Sequence, residues 1–191
     1  MMRNIEDYKE LLKNRLNEKR YIHSLAVADE AYRLAEKYGG NKEKCYLAGL
    51  LHDITKNATD EEHLKIFDTF GIILNDIEKN AKKLWHAMSG SAYIKYILLI
   101  DDDELIDAVR YHTTAKADMS NTALILYLAD FTSADRDYED VDKMRELVDI
   151  SLNDAYIYAL SYSIKDLADN GRAIHQDTLE AYNQTVLKGI K

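Results

Sequence analysis

The chain has 191 residues, with 34 acidic and 25 basic side chains, and its net charge of −9 argues against general nucleic-acid binding and against binding to anionic membranes. Proline is absent and glycine occurs seven times, so helix breakers are scarce and an all-α fold is favoured. The single cysteine, Cys45, excludes an intrachain disulfide and a cysteine-based zinc cage, and its helical neighbours indicate a small packing residue.

The longest apolar runs, such as TALILYLA, fall far short of the roughly 18 residues that are needed to span a bilayer. The opening stretch, MMRNIEDYKE, is charged and lacks the apolar segment of a signal peptide. We therefore expect a cytoplasmic protein that does not bind a membrane.

Residues that typically cap or end helices predict the first helices of the chain. Asn4, with Asp7 three residues on, is expected to cap a first helix. A second helix is predicted over about residues 21–38, where a glycine pair ends it, and a third begins at about Asn41.

The remainder of the chain continues the helical pattern. Thr59, followed by three acids, is predicted to cap a fourth helix that ends at Gly71. Further helices are predicted over residues 91–99, 102–112, 122–133, 141–152, 154–168 and 178–187. No segment alternates convincingly with the period of a strand, and no repeat or linker is seen, so we expect one helical domain over residues 1–191.

His52 and Asp53 are adjacent near the end of the third predicted helix, after the run AGLL. Neighbours on a helix are separated by about 100°, so both side chains can border one inward face. Small residues on the same side, including Ala48 and Gly49, would let another helix approach closely. A histidine–aspartate pair alone is weak evidence for a metal site.

Asp130 and His23 add two further candidate ligands. Asp130 ends a helix that is apolar nearly all round, where an unpartnered buried carboxylate would be costly and a cation is the natural compensation. A salt bridge to lysine or arginine, or exposure at the helix end, remains the alternative. His23 shares a face with apolar residues and could equally be a hydrogen-bonded core histidine.

Two more histidines could belong to the same site. His86 lies in LWHAMSG, where packing beside Trp85 would be the ordinary interpretation, and His112 ends an apolar helical face. A histidine that complements the helix dipole is the competing interpretation of His112. His63, in TDEEHLK, is expected to be exposed. The tyrosine-rich residues 156–162 are expected to pack in the core, and an interface of a homodimer is the alternative.

Three cationic side chains lie at suggestive offsets from these residues. Arg20 precedes His23 by three positions, and Lys56 follows Asp53 by three, so each lies one turn from a candidate ligand. Arg136 follows the helix of Asp130 and could grip a phosphate. Exposed, solvated charges are the alternative for all three.

The spacing from His23 to the His52–Asp53 pair is 29 residues, and 77 residues separate Asp53 from Asp130. This pattern resembles the H…HD…D signature of the HD-domain superfamily of metal-dependent phosphohydrolases. Over nearly its whole length the chain looks like the YqeK family of symmetrical bis(5'-nucleosyl)-tetraphosphatases. The segments that carry the resemblance are KRYIHSLAVA, AGLLHDITK, LWHAMSG, AVRYHTTA, LADFTSADR and GRAIHQDT.

The resemblance implies roles for these residues. His23, His52, Asp53 and Asp130 would hold a divalent metal, for which iron is the first candidate and manganese, zinc and nickel are alternatives. One or two ions would bind, the second through His86 and His112. Catalysis would involve Asp53, His86 and His112.

The resemblance also implies a substrate-binding set. It would comprise Arg20, His23, Asp53, Lys56, His86, His112, Thr113, Asp130, Arg136, Ala173, Ile174, His175, Gln176, Asp177 and Thr178. The metal-binding core would cover about residues 18–136, and helices at about 140–190 would complete the nucleotide pocket. Gln176 stands where the family usually has proline, and Tyr182 where it commonly has arginine, so one contact is in doubt; His175 could equally be exposed.

The implied reaction is the symmetrical hydrolysis of diadenosine tetraphosphate to two ADP by metal-activated water, without a covalent enzyme intermediate. Two alternatives remain open. One is an HD phosphohydrolase that acts on a deoxynucleotide or an alarmone, and the other is a catalytically weak nucleotide sensor.

Overall fold

A computed structural model describes residues 4–189. Met1–Arg3 and Ile190–Lys191, the two ends of the predicted domain, lie outside the described residues. Between them the chain forms eleven α-helices, and residues 4–189 contain no strand, which confirms the all-α prediction. No helix in this range is long and apolar enough to cross a membrane.

The α-helices are α1 Ile5–Arg15, α2 Glu18–Tyr38, α3 Lys42–Leu51, α4 Asp60–Phe70, α5 Asp76–Asn80, α6 Trp85–Ala92, α7 Asp103–Tyr111, α8 Asn121–Thr132, α9 Val141–Ile150, α10 Leu152–Asp169 and α11 Gln176–Gly189. A 3-10 turn, Lys82–Leu84, precedes α6, and a π-helix, Tyr93–Ile97, follows it.

The predicted caps form as expected. The Asn4 side chain accepts from the backbone N–H of Asp7, and the Asp7 carboxylate accepts from that of Asn4, which completes a capping box. The Thr59 hydroxyl caps α4. Gly39 ends α2 with φ +76° and Gly71 ends α4 with φ +67°, a conformation that glycine adopts without steric cost.

Some boundaries differ from the predictions. The helix predicted over residues 91–99 begins at Trp85 and passes into the π-helix after Ala92, so His86 lies in the first turn of α6. All eight residues of α6 are buried, which leaves no polar face to reveal its periodicity. Helix α3 ends at Leu51, so His52 and Asp53 lie just beyond it, in the turn.

The core is built where α2 and α8 enclose α3, with α7 and α10 packed against α8. Cys45 is fully buried there, as predicted. Tyr156, from the tyrosine-rich stretch, is also buried and donates a hydrogen bond to the carbonyl of Lys116. The other two tyrosines of the stretch, Tyr158 and Tyr162, are half-buried.

Gly49 allows α3 to lie directly against α2, as the run of small residues predicted. A Cβ at this position would approach the Cα of Ala28 at 2.8 Å and the carbonyl oxygen of Val27 at 2.9 Å. Both contacts are to backbone, which cannot rotate away. The close approach brings the end of α3, and with it His52, next to the helix that carries His23.

We expect Gly49→Ala to destabilise the fold by about 1–3 kcal/mol, since the backbones must separate to admit the methyl group. Gly90→Ala is the matched control, because its nearest contact would be an ordinary 3.5 Å to the Thr55 hydroxyl. Urea unfolding of both variants measures the difference. Equal stabilities would show that the α2–α3 contact is not tight.

Candidate active site

Six side chains from five separate parts of the chain meet in one row. His23 comes from α2, His52 and Asp53 from the turn after α3, His86 from α6, His112 from the end of α7, and Asp130 from α8. All of them are buried except Asp130, which is half-buried. The structure therefore brings together all of the metal-ligand candidates of the sequence.

Asp53 and His52 lie at the middle of the row. Asp53 Oδ1 is 3.1 Å from His86 Nε2 and 3.8 Å from His112 Nε2, while Oδ2 is 3.6 Å from His52 Nε2. At the other end, Asp130 Oδ1 is 3.0 Å from His23 Nε2 and 3.9 Å from His52 Nε2. We call the two limits of the row the His86–His112 end and the Asp130 end.

Three histidine rings are fixed by acceptors on their outer nitrogen. His52 Nδ1 lies 2.6 Å from the carbonyl oxygen of Gly49, and His112 Nδ1 lies 2.7 Å from that of Val109. A carbonyl can only accept, so each Nδ1 donates and each Nε2 carries its lone pair into the row. His23 Nδ1 similarly faces the Asp135 carboxylate at 2.8 Å, the arrangement that orients metal-ligating histidines.

The inner atoms of the row fit a divalent cation. His52 Nε2 and Asp53 Oδ1 are buried, and neither makes a hydrogen bond of good geometry within residues 4–189. Buried polar atoms without partners are rare, and a cation would satisfy both. Two overlapping groups have ligand atoms within 4.8 Å of one another: His23, His52 and Asp130, and His52, Asp53 and His112. The cluster could thus hold one ion or two.

The protonation states suit this role. Burial lowers the pKa of His52 to about 3 and that of His86 to about 4, so both imidazoles are neutral at pH 7. Burial alone would raise the pKa of Asp53 and Asp130. Neighbouring groups, chiefly His52 for Asp53 and Arg136 for Asp130, instead hold each pKa well below its usual value. Neutral imidazole and ionised carboxylate are the forms that bind metal.

His23 behaves differently from the other histidines. Burial tends to lower its pKa, but the hydrogen bond to Asp130 and the charge of that carboxylate outweigh burial and raise it. A proton and a cation therefore compete for His23 Nε2, and we infer that metal binding displaces a proton there.

The three cationic candidates face the row, so the interpretation as exposed charges is wrong. Lys56 Nζ lies 2.9 Å from His86 Nε2 and 3.5 Å from Asp53 Oδ1. Arg20 Nη1 lies 3.3 Å from Asp53 Oδ2. Arg136 forms an ion pair with Asp130, so the salt-bridge alternative for Asp130 is realised alongside its contact with His23.

Residues 173–178 lie beside the turn that follows α7. The Thr178 hydroxyl donates to the Thr114 carbonyl at 2.7 Å, two residues beyond His112. His175 is buried, so its interpretation as exposed is wrong, and its Nε2 lies 3.5 Å from Glu78 Oε1. In the neighbouring turn, the Thr113 hydroxyl is buried without a hydrogen bond from the described residues. The segment is thus next to the His86–His112 end.

The other predicted members of the segment vary in exposure. Ala173 and Gln176 are exposed, and Ile174 and Asp177 are half-buried. Gln176, which replaces the usual proline, donates to Glu180 one turn on in α11. Tyr182, which replaces arginine, packs against the core.

His63 was predicted to be exposed, and the structure shows that this is wrong. It is 6% exposed, and its Nδ1 lies 2.8 Å from Ser89 Oγ. Ser89 in turn contacts Thr55, whose hydroxyl donates to the carbonyl of His86. The sequence held a signal for this, because His63 precedes Ile66 and Phe67 by three and four positions on the apolar face of α4.

Asp135 was also missed, although it lies within LADFTSADR. It accepts from Ser133 as well as from the His23 ring. The sequence held a signal for Asp135, which directly precedes the candidate residue Arg136. Metal-ligating histidines generally need an acceptor on the second nitrogen, and a carboxylate can supply one.

We expect Asp135→Asn to weaken metal binding by about 10–100-fold, because His23 loses a charged acceptor on Nδ1. Asp142→Asn is the matched control, since Asp142 is exposed and pairs on the surface with Arg145. Titration of the metal-free proteins with Mn²⁺, followed by calorimetry, measures the two affinities. Equal affinities would remove Asp135 from the site.

Comparisons with known proteins show which family the chain belongs to. The HD domain family model matches residues 20–135. A symmetrical bis(5'-nucleosyl)-tetraphosphatase of Halalkalibacterium halodurans is 33% identical over 94% of this chain and 95% of its own length. The protein of that name from Bacillus subtilis is 30% identical over 96% of this chain and 98% of its own length.

A solved structure from Clostridium acetobutylicum is similar throughout. It is described as a "predicted HD superfamily hydrolase involved in NAD metabolism", with 34% identity and a TM-score of 0.95 over 98% of this chain and 100% of that chain. The matched region contains His23, His52, Asp53 and Asp130, the residues that the fold brings together. The chain therefore belongs to the HD-domain family of hydrolases.

Proposed function

We propose that this protein hydrolyses bis(5'-nucleosyl) tetraphosphates symmetrically, with diadenosine tetraphosphate giving two ADP. The observation that carries the proposal is the row itself, in which oriented imidazole nitrogens and ionised carboxylates converge. His52 Nε2 and Asp53 Oδ1 receive no hydrogen bond from the part of the chain that the structure describes. The names of the full-length relatives supply the substrate class.

The charges of the site support a need for metal. Two carboxylates belong to the row, Asp53 and Asp130, and a third, Asp135, contacts it together with three cationic side chains, Arg20, Lys56 and Arg136. With neutral imidazoles these charges cancel, which leaves little attraction for a polyphosphate. A divalent cation adds two positive charges where the phosphates would lie.

We propose His23, His52, Asp53 and Asp130 as the ligands of the first ion, with iron as the metal and manganese, zinc or nickel as substitutes. His86 and His112 would complete a second site with Asp53. Their Nε2 atoms are 3.1 Å apart, which two neutral acceptors tolerate only when a cation or a proton lies between them. Burial lowers the pKa of His86 to about 4, so its imidazole is neutral at pH 7, the form that could bind a metal.

In the reaction, bound metal would supply Lewis acidity and a water of lowered pKa. Asp53 would orient the attacking water and accept its proton, since its ionised carboxylate lies at the middle of the row. Lys56, Arg20 and Arg136 would donate hydrogen bonds to phosphate oxygens by exchanging part of their present carboxylate contacts. Attack in line on a central phosphorus then releases ADP without a covalent enzyme intermediate.

Removal of Asp53 tests the proposal directly. We expect Asp53→Ala to lose bound metal and to lower the rate of ADP release by about 100-fold or more, since it removes both a ligand and the water-orienting group. Metal analysis and chromatography of the products of diadenosine tetraphosphate provide the measurements, with Asp142→Ala as the surface control.

The products also separate the alternatives. ADP alone indicates symmetrical cleavage, whereas AMP and ATP would indicate asymmetrical cleavage and contradict the proposal. Hydrolysis of a deoxynucleotide or an alarmone without cleavage of the dinucleotide would favour another HD phosphohydrolase. Nucleotide binding without turnover by the metal-loaded protein would favour a sensor.

Metal removal should lower stability as well as activity. Saturating Mn²⁺ at about 1,000 times its dissociation constant is expected to stabilise the fold by about 4 kcal/mol, since the ion binds the assembled row and not the unfolded chain. Thermal melts with chelator and with added metal measure this change. Identical melting temperatures would argue that the row does not bind the ion.

A further inference from the structure

We propose that an aromatic slot beside the Asp130 end binds the second nucleobase of the dinucleotide substrate. The slot is lined by Asp130, Phe131, Arg136, Tyr138 and Tyr162. This inference rests on the proposed function, and it adds the recognition of the half of the substrate that residues 173–178 do not reach.

The symmetry of the reaction requires two nucleoside sites. A bis(5'-nucleosyl) tetraphosphate carries a nucleoside at each end, and symmetrical cleavage places the reacting phosphorus near its centre. A nucleoside diphosphate must therefore extend from the row in each of two directions. Residues 173–178 adjoin Thr114, beside the His86–His112 end, and leave the Asp130 end for the other half.

The slot is continuous with the row at that end. Asp130 belongs to both, and Arg136 lies between them, since its guanidinium pairs with Asp130 and reaches within 3.4 Å of His23 Nε2. A phosphate chain that leaves the row would thus pass the guanidinium first and meet the aromatic side chains next. A nucleotide has the corresponding order: its phosphates would meet the cation, and its base would meet the rings.

The size of the slot suits a base. Its volume is about 220 Å³, below the roughly 300–1,000 Å³ typical of sites for whole small-molecule ligands. It can therefore accommodate one ring system whose sugar and phosphates remain outside, along Arg136.

The aromatic side chains are arranged around the cavity and not packed solid. The rings of Tyr138 and Tyr162 are 5.4 Å apart and tilted by 46°, and each meets Phe131 edge-on at 6.5 Å. All three residues are half-buried, whereas Tyr127, behind Phe131, is completely enclosed in the core. Half-buried rings that border a cavity offer surface on which a base can stack.

The slot is also held in place before any ligand binds. The Tyr138 hydroxyl donates to the carbonyl of Phe131 at 3.1 Å, and the Phe131 ring lies 5.3 Å from that of Tyr127. Tyr162 projects from α10, a helix that packs against α8. Little ordering of side chains would accompany binding, which favours a role in recognition.

The test compares two substrates that differ by one nucleoside, diadenosine tetraphosphate and adenosine 5'-tetraphosphate, in the metal-loaded protein. Tyr162→Ala should raise KM for the dinucleotide by about 10-fold, because one stacking partner is lost, and leave KM for the mononucleotide within about twofold. Tyr162→Phe should retain the wild-type KM, since a phenyl ring also stacks. Tyr96→Ala, which removes an exposed ring stacked on Phe70, is the matched control.

Each outcome decides between the proposals. An unchanged dinucleotide KM in Tyr162→Ala, or an equal loss for both substrates, would overturn the slot while the proposed hydrolysis stands. Absence of dinucleotide hydrolysis by the wild type would overturn both. Thermal melts check folding, and if the alanine variant is unfolded, Tyr162→Leu keeps the apolar bulk without an aromatic face and takes its place.

Discussion

The site depends on the orientation of buried imidazoles by acceptors on their outer nitrogens. Gly49 and Val109 supply carbonyl oxygens to His52 and His112, and Asp135 supplies a carboxylate to His23. With each Nδ1 occupied, lone pairs on Nε2 point inward at ionised carboxylates, an arrangement that only a cation or a proton can stabilise. The proposed affinity for metal would thus depend on hydrogen bonds that lie one layer outside the proposed ligands.

Gly49 links the orientation of the His52 ring to the packing of the helices. Gly49 lets α3 lie against the backbone of α2, and its carbonyl orients the ring that follows the helix. A bulkier residue would separate the helices and shift both the carbonyl and His52 relative to His23. The close approach of α3 to α2 and the geometry of the site therefore share one position.

A protein with net charge −9 must hold a polyanion through local charge. Arg20, Lys56 and Arg136 gather around the row, but Asp53, Asp130 and Asp135 balance them. The proposed metal is then both the catalyst and the main attraction for phosphate. The proposed slot adds affinity that does not depend on charge, at the opposite end from the polar segment of residues 173–178, so an asymmetric protein would recognise the two equal halves of its substrate differently.

The sequence alone determined the helical class, the caps at Asn4 and Thr59 and four residues of the row, His23, His52, Asp53 and Asp130, because periodicity and capping are local and the spacing of the signature is a property of the chain. His86 and His112 were predicted through the resemblance of their segments to a known family. The sequence misplaced the start of α6, where burial on all sides removes the amphipathic signal, and it missed the buried position of His63. Only the tertiary structure decided which acceptor orients each ring and which aromatic side chains enclose a cavity. His23 and Asp135 are 112 residues apart, and contacts at such separation arise from the packing of whole helices, which no local pattern encodes.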